Sequence, residues 1–226
     1  MYVTLISSTD AHEGPLFTPE KPPARPNLGC ARFLPAGANL FREGDEAQFL
    51  YEVRSGVLRL TRVLENGKRQ VISFGYPGDF VGFPDGDDYH TDCDVIASAE
   101  LIAYRRSALE SGLGDDLTRR RLLDAALREI SGMQDHFMML ARKSAIEKVA
   151  SFLSVLAERI GLRTGAVTTL DLSMRRTDIA DFLGLTTETV SRTLTHLRKK
   201  GVISIENAHT IVIRDRSALA DAAEME

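Results

Sequence analysis

Arg176-Thr177-Asp178-Ile179-Ala180-Asp181-Phe182-Leu183-Gly184-Leu185-Thr186-Thr187-Glu188-Thr189-Val190-Ser191-Arg192 is the stretch on which the reading of this 226-residue chain turns. Ile179, Leu183, Leu185, Val190, Leu194 and Leu197 follow helical spacing along one face, interrupted once at Gly184. A glycine there supplies the positive φ of a tight turn at little steric cost. Ala180 is small where two helices would cross closely, and Thr186 can cap the free N–H groups of the second helix. The pattern predicts two short helices joined by a sharp turn, the helix-turn-helix arrangement. Thr187, Glu188, Ser191 and Arg192 share the polar face of the second helix, because residues three and four apart are neighbours. They fall in its first turns, the part of a recognition helix that reaches base edges in the DNA major groove. Glu188 can accept from a cytosine amino group, and Arg192 can donate to a guanine. Arg198, Lys199 and Lys200 suit the negative end of the helix dipole and can also meet phosphates.

The residues that follow extend the module. Gly201 ends the helix, and Val202-Ile203-Ser204-Ile205 and Thr210-Ile211-Val212-Ile213 alternate as strands around a turn at Glu206-Asn207-Ala208-His209. This predicts a small β-wing beside the recognition helix. Arg214 and Arg216 are placed either to reach a phosphate backbone or to stay solvated.

Composition sets the bounds. The length suits two modest domains, and a formal net charge of −4 excludes a general nucleic-acid coater, so DNA affinity has to come from a local cationic patch. Only Cys30 and Cys93 are present, which gives no disulfide framework and fits a reducing compartment. Neither a signal peptide nor an apolar run of membrane-spanning length is evident, so a cytoplasmic protein is expected.

Residues 1–27 contain Pro15, Pro19, Pro22, Pro23 and Pro26, and they read as a flexible arm. Residues 28–112 read as a β-roll or small barrel. The strands Phe49–Val53, Val57–Val63 and Gln70–Phe74 are separated by turn signals at Ser55-Gly56 and Glu65-Asn66-Gly67-Lys68, with further turns at Pro35-Ala36-Gly37 and Tyr76-Pro77-Gly78-Asp79. Residues 113–143 read as a long helix on which Leu123, Ala126, Ile130, Met133, Phe137 and Leu140 keep a heptad a/d pattern. That seam predicts a homodimer, the alternative being burial within one subunit. Leu122 and Leu127 fall off the seam and are expected against the β-roll. Residues 144–226 form the C-terminal winged helix-turn-helix, which opens with a helix over 146–160, followed by a loop with strand character from Gly161 to Leu172. The fold class is α+β.

This layout resembles the CRP/FNR superfamily of bacterial transcription regulators. The resemblance rests on Pro35-Ala36-Gly37, Phe41-Arg42-Glu43-Gly44-Asp45, Ser55-Gly56-Val57, Pro77-Gly78-Asp79-Phe80-Val81-Gly82, the long helix and Leu185–Arg192, and it covers nearly everything after Cys30. It implies a cyclic-nucleotide-binding-like β-roll, a dimerisation helix and a DNA-binding C-terminus. Glu188, Ser191 and Arg192 match the Glu-x-x-Ser-Arg pattern of the FNR and FixK branches. The resemblance therefore implies a palindrome with TTGAT-like half-sites and phosphate contacts from Arg175, Arg176, Thr186 and Thr189. It also implies activation of low-oxygen or nitrogen-metabolism-linked genes through contact with RNA polymerase.

The sensor site departs from the cyclic-nucleotide-binding pattern. Phe83-Pro84 follow Gly82 where that pattern has a ribose-holding Glu, and no Lys or Arg occurs from Phe83 to Tyr104, whereas Asp85, Asp87, Asp88, Asp92 and Asp94 do. A buried phosphate would meet anions without a cation. Two cysteines are too few for the four-cysteine iron–sulfur site of oxygen-sensing relatives. His90 and His136 are candidate haem ligands without supporting motif, and Cys30 and Cys93 are candidate redox-sensitive thiols. The expectation is a regulator without cofactor or metal, controlled through its own synthesis. The alternative is a ligand-gated regulator of the same fold, sensing haem-bound gas, redox state or a metabolite. An enzyme is not expected: His12, His90, His136, His196 and His209 form no His-x-His pair, and the chain has neither nucleophile elbow nor phosphate loop.

Overall fold

The computed structural model describes residues 29–84, 86–110 and 116–224, so the arm expected over residues 1–27 lies outside the described residues. The first layer is an antiparallel roll of β1 (Gly29–Leu34), β2 (Asn39–Phe41), β3 (Phe49–Val63), β4 (Arg69–Gly75), β5 (Phe80–Val81) and β6 (Asp92–Arg105). The order is β1-β6-β3-β4, with β2 added to β6 and β5 to β3. Strand alternation places Val53, Leu58, Cys93, Val95 and Leu101 together in the roll core. The Asn66-Gly67 turn closes the β3–β4 hairpin, with Leu64 N donating to Lys68 O at 2.8 Å.

At Ser55-Gly56 the structure corrects the sequence reading. The two strands expected on either side of that turn signal are one strand, β3. Gly56 takes φ 83°, and the register against β6 shifts between Val53 and Leu58. The signal marks a bulge that bends the strand, while β6 continues to pair with both halves.

A short helix α1 (Arg106–Glu110) precedes α2 (Asp116–Arg142). The first turns of α2 dock on the roll, where Leu122 and Ala125 pack with Phe80 and Tyr104. Beside them the buried Glu52 carboxylate accepts from the Tyr104 hydroxyl at 2.7 Å and pairs with Arg121 of α2 and with Arg54. Leu127 does not join this contact and stays exposed. It lies five residues after Leu122, hence about 140° further round the helix.

The C-terminal unit contains α3 (Ala145–Arg159), β7 (Leu162–Thr164), β8 (Val167–Asp171), α4 (Arg176–Leu183), α5 (Thr187–Lys199), β9 (Ile203–Ile205), β10 (Thr210–Ile213) and α6 (Arg216–Ala223). A capping box starts α3: Ser144 N donates to Glu147, whose own N–H donates to the Ser144 hydroxyl. The segment read as a loop from Gly161 to Leu172 is largely the β7–β8 hairpin, which completes a four-stranded wing sheet in the order β7-β8-β10-β9. Helix α6, which carries no strong apolar period, is started by Asp215 accepting from Ala218 N at 2.9 Å. One core joins Val149 and Leu153 of α3, Ile179 and Leu183 of α4, Val190, Leu194 and Leu197 of α5, and Ile211 and Ile213 of β10. It runs on without a break into Val71, Phe74 and Tyr76 of the roll.

Gly56 provides a test of the bulge. A Cβ there would lie 2.4 Å from the Ser98 carbonyl oxygen and 2.6 Å from Ala99 Cα, at a positive φ. Gly56→Ala is expected to destabilise the roll by about 3 kcal/mol or more, read as a lowered denaturant midpoint.

Candidate DNA interface

Gly184 closes α4 in the left-handed conformation at φ 62°, ψ 37°, and Leu185 N returns to the Ala180 carbonyl at 3.0 Å. Two residues later Thr186 caps α5, its hydroxyl accepting from Thr189 N at 3.1 Å. Val190, Leu194 and Leu197 face the core, and Leu185 is partly buried against it. This leaves Thr187, Glu188, Ser191 and Arg192 exposed on the opposite face. Arg192 Nη2 meets Glu188 Oε1 at 2.5 Å, and Ser191 Oγ donates to the Thr187 carbonyl at 2.9 Å. So exposed an i,i+4 pair contributes only about 0.3–0.5 kcal/mol, so a better partner separates it at small cost.

Of the four residues expected at phosphates, Thr186 and Thr189 share a hydroxyl–hydroxyl contact of 2.8 Å at the start of α5. Arg175 is exposed just before α4. Arg176 is half-buried, and its Nη1 is a buried donor without a hydrogen-bond partner. Burial lowers the Arg176 pKa from its ordinary value, and guanidinium remains charged, so it is a desolvated cation. These groups lie on the capped ends of α4 and α5, where helix dipoles also favour an anion.

The seam residues of α2 divide into two sets. Leu123, Ile130, Met133 and Phe137 each leave more than half their surface exposed, and Met138 and Leu127 widen the stripe. Ala126 and Leu140 are partly covered within the chain; Leu140 lies alongside Gly184. An apolar stripe this long on a 27-residue helix is a surface that calls for a partner.

Between α2 and the roll lies a cavity of about 300 Å³. Phe41, Leu60, Phe74 and Tyr89 form much of its apolar wall, and Ala126, Ile130 and Met133 of α2 close it. Its charged lining residues among those described are Asp79 and Glu129; no Lys or Arg contributes. Burial, with Asp79 adding repulsion, raises the Glu129 pKa above the usual carboxylate range, and Arg159 opposes the shift. Arg159 itself pairs with Asp79 at 2.5 Å and lies over the Tyr76 ring.

The remaining candidates lie in different surroundings. His136 donates through Nε2 to the Phe182 carbonyl at 2.9 Å and packs on the Phe182 ring. Burial lowers its pKa, which favours the neutral imidazole. Cys93 is fully buried in the roll core, where burial and then Asp94 push its thiol upward. It is a core residue rather than the reactive thiolate that a redox-sensitive site requires. Cys30 is exposed on β1, and His90 lines the cavity. Among the described residues no cluster of three His, Cys, Asp or Glu side chains is placed to hold a metal, and no helix is long and apolar enough to cross a membrane.

The sequence reading missed Arg59 and Arg69 on the roll. They pair with Asp178 and Asp181 of α4, 109 to 119 residues away in the chain, and no local pattern signals such a contact.

A β-roll, a long helix with an uncovered apolar stripe and a winged helix-turn-helix together define a DNA-binding transcription regulator with a nucleotide-binding-type sensor fold. Residues 31–115 match the cyclic nucleotide-binding domain, and residues 147–222 match the Crp-like helix-turn-helix domain. The chain is 39% identical over 194 residues to the nitrogen fixation regulation protein FixK of Azorhizobium caulinodans, covering 85% of this chain and 78% of that protein. It is 40% identical over 167 residues to the transcriptional activatory protein AadR of Rhodopseudomonas palustris, covering 74% and 70% respectively. The solved structure of FixK2 from Bradyrhizobium japonicum superposes with a TM-score of 0.79 at 32% identity, covering 88% of this chain and 99% of that one. The chain belongs to the CRP/FNR family of transcription regulators, in its FixK-like branch.

Glu129 yields a pH prediction. Its folded pKa is raised, so folding favours the protonated acid. The fold therefore gains from this group below its unfolded pKa and loses that gain as pH rises through the folded value. Glu129→Gln is expected to raise the thermal midpoint at neutral pH, with the difference from wild type shrinking as pH falls through the carboxylate range.

Proposed function

We propose that the protein is a cytoplasmic, non-enzymatic transcription activator that binds a TTGAT-like palindrome as a homodimer, without a bound effector, at genes of low-oxygen or nitrogen metabolism. The observation that carries the reading is the exposed Glu188–Arg192 pair on the first turns of α5, beside Ser191 and Thr187. On DNA the pair opens: Glu188 accepts from a cytosine amino group, and Arg192 donates to the O6 and N7 of a guanine. Ser191 and Thr187 contribute contacts between them. Arg175, Arg176, Thr186 and Thr189 hold phosphates and fix register without reading sequence. The relatives' descriptions as activators and nitrogen fixation regulators support the activating role. RNA polymerase is the partner such a role requires.

The homodimer forms along α2 through Leu123, Ala126, Ile130, Met133, Phe137 and Leu140. Two identical reading heads then meet two inverted half-sites. The effector-free state is supported by the cavity wall: it carries no Lys or Arg to hold an anionic nucleotide, and the neighbouring Arg159 is already paired with Asp79. The cavity's size and apolar walls also favour a second reading, a regulator gated by a small neutral metabolite. Mass spectrometry of material released from purified protein distinguishes the two.

Two measurements test the main reading. Purified protein with no additive is expected to prefer the palindrome to random DNA. Arg192→Ala is expected to cost about 1–3 kcal/mol on that site and to relax preference at one base pair; equal weakening on specific and random DNA would assign Arg192 to phosphate instead. Phe137→Glu is expected to shift the dimer toward monomer in sedimentation while the circular dichroism of the fold is kept.

A further inference from the structure

The roll holds the C-terminal unit through a charge cluster that the reading function above does not use. Arg59 of β3 donates to Asp178 at 2.7 Å and to Asp94 at 2.9 Å. Arg69 of β4 donates to Asp178 at 2.7 Å and, through Nε and Nη2, to Asp181 at 3.0 and 2.6 Å. Gln70 donates to the Asp181 carbonyl, and the Phe74 ring packs against Phe182 with centroids 5.5 Å apart. Asp178 is buried, and its second oxygen accepts from Arg175 N at 3.1 Å, capping α4. One carboxylate thus ties the roll to the start of the helix that supports α5.

We infer that Arg59 and Arg69 are positioning residues for DNA reading: by clamping Asp178 and Asp181 they fix α4 and α5 in one pose relative to the dimer axis, and so set which half-site spacing the protein accepts. This rests on the palindrome reading proposed above. The mechanical path is complete on the structure. Helix α2 carries the dimer seam, Arg121 of α2 is bound to Glu52 of β3, and β3 and β4 carry Arg59 and Arg69. Around the clamp, the charged groups are Arg59, Arg69, Asp94, Asp178 and Asp181, all engaged with one another. A change of one base pair moves a half-site by about 3.4 Å and turns it by roughly 34°, so a head held in one pose tolerates one spacing. A head tethered loosely tolerates several.

Arg69 is the residue to change, because Arg59 still pairs with Asp178 when it is gone and the buried carboxylate keeps a cation. The experiment measures binding of full-length wild type, Arg69→Gln and Arg69→Lys to palindromes at the preferred spacing and at one base pair more and less. Amide hydrogen exchange is followed in the same three proteins without DNA. Arg69→Gln is expected to reduce the discrimination between spacings about fivefold, and to speed exchange in α4. Arg69→Lys, which keeps a cation beside Asp178 and Asp181, is expected to hold both near wild type. A uniform loss at all spacings would make Arg69 a phosphate contact and overturn the inference, as would an unchanged spacing profile. Should wild type itself show no preference for the palindrome, the function reading fails first. The exchange arm then still decides the clamp: unchanged α4 exchange in Arg69→Gln would overturn it.

Discussion

Asp178 is a carboxylate taken almost wholly out of water, with 2% of the residue's surface exposed. Such a group is tolerable only if its lone pairs are satisfied and its charge is matched. Here an arginine from β3, an arginine from β4 and the backbone N–H of Arg175 do both. Removing one partner of a buried pair typically costs about 3–5 kcal/mol, a large part of a domain's net stability. Replacing the whole cluster with apolar groups is often neutral or stabilising, so stability alone does not account for it. What an apolar patch would not supply is direction. Dispersion contacts allow sliding, whereas a bifurcated arginine–carboxylate geometry fixes both distance and angle.

Glu52 repeats the device at the other joint. It too is buried, and it is held by Tyr104, Arg54 and Arg121. Arg121 belongs to α2, so this carboxylate fastens the long helix to the roll as Asp178 fastens the reading unit. Apolar packing backs both joints, with Leu122 and Ala125 against Phe80 at one and Phe74 against Phe182 at the other. The roll is therefore a rigid mount between a helix with an uncovered stripe and a helix with an exposed reading face. A third grip, His136 on the Phe182 carbonyl, joins α2 directly to α4, the helix that supports α5.

Legibility in the sequence followed the range of the interactions. Gly184, Thr186 and the apolar spacing around them were readable because turn, cap and helix face are each decided within a few residues. The Asn66-Gly67 hairpin was readable for the same reason. Ser55-Gly56 misled, since a glycine at positive φ serves a bulge as well as a turn, and only the partner strand β6 decides which. The β7–β8 hairpin was hard to see because its pairing is completed by β10, more than thirty residues later. Arg59 and Arg69 were invisible for the strongest form of that reason: an exposed-looking arginine on an alternating strand carries no mark of a carboxylate more than a hundred residues away. The heptad of α2 was visible as a pattern, but which side chains the chain itself covers, Ala126 and Leu140, depended on the roll and on Gly184.

The cavity and the stripe on α2 are not independent features. Ile130 and Met133 belong to both: they line the cavity beside the roll, and they are among the exposed apolar side chains of the stripe. A second helix laid along α2 would press on the same side chains that a small molecule in the cavity would touch. A helix on the stripe and a guest in the cavity would therefore touch shared side chains, and either one would change the packing available to the other. Electrostatics then limits what the cavity can accept. Glu129 has a raised pKa beside Asp79, Asp79 is paired with Arg159, and an incoming anion would meet no lining Lys or Arg. Side chains alone, or a neutral guest, fill that space without the penalty.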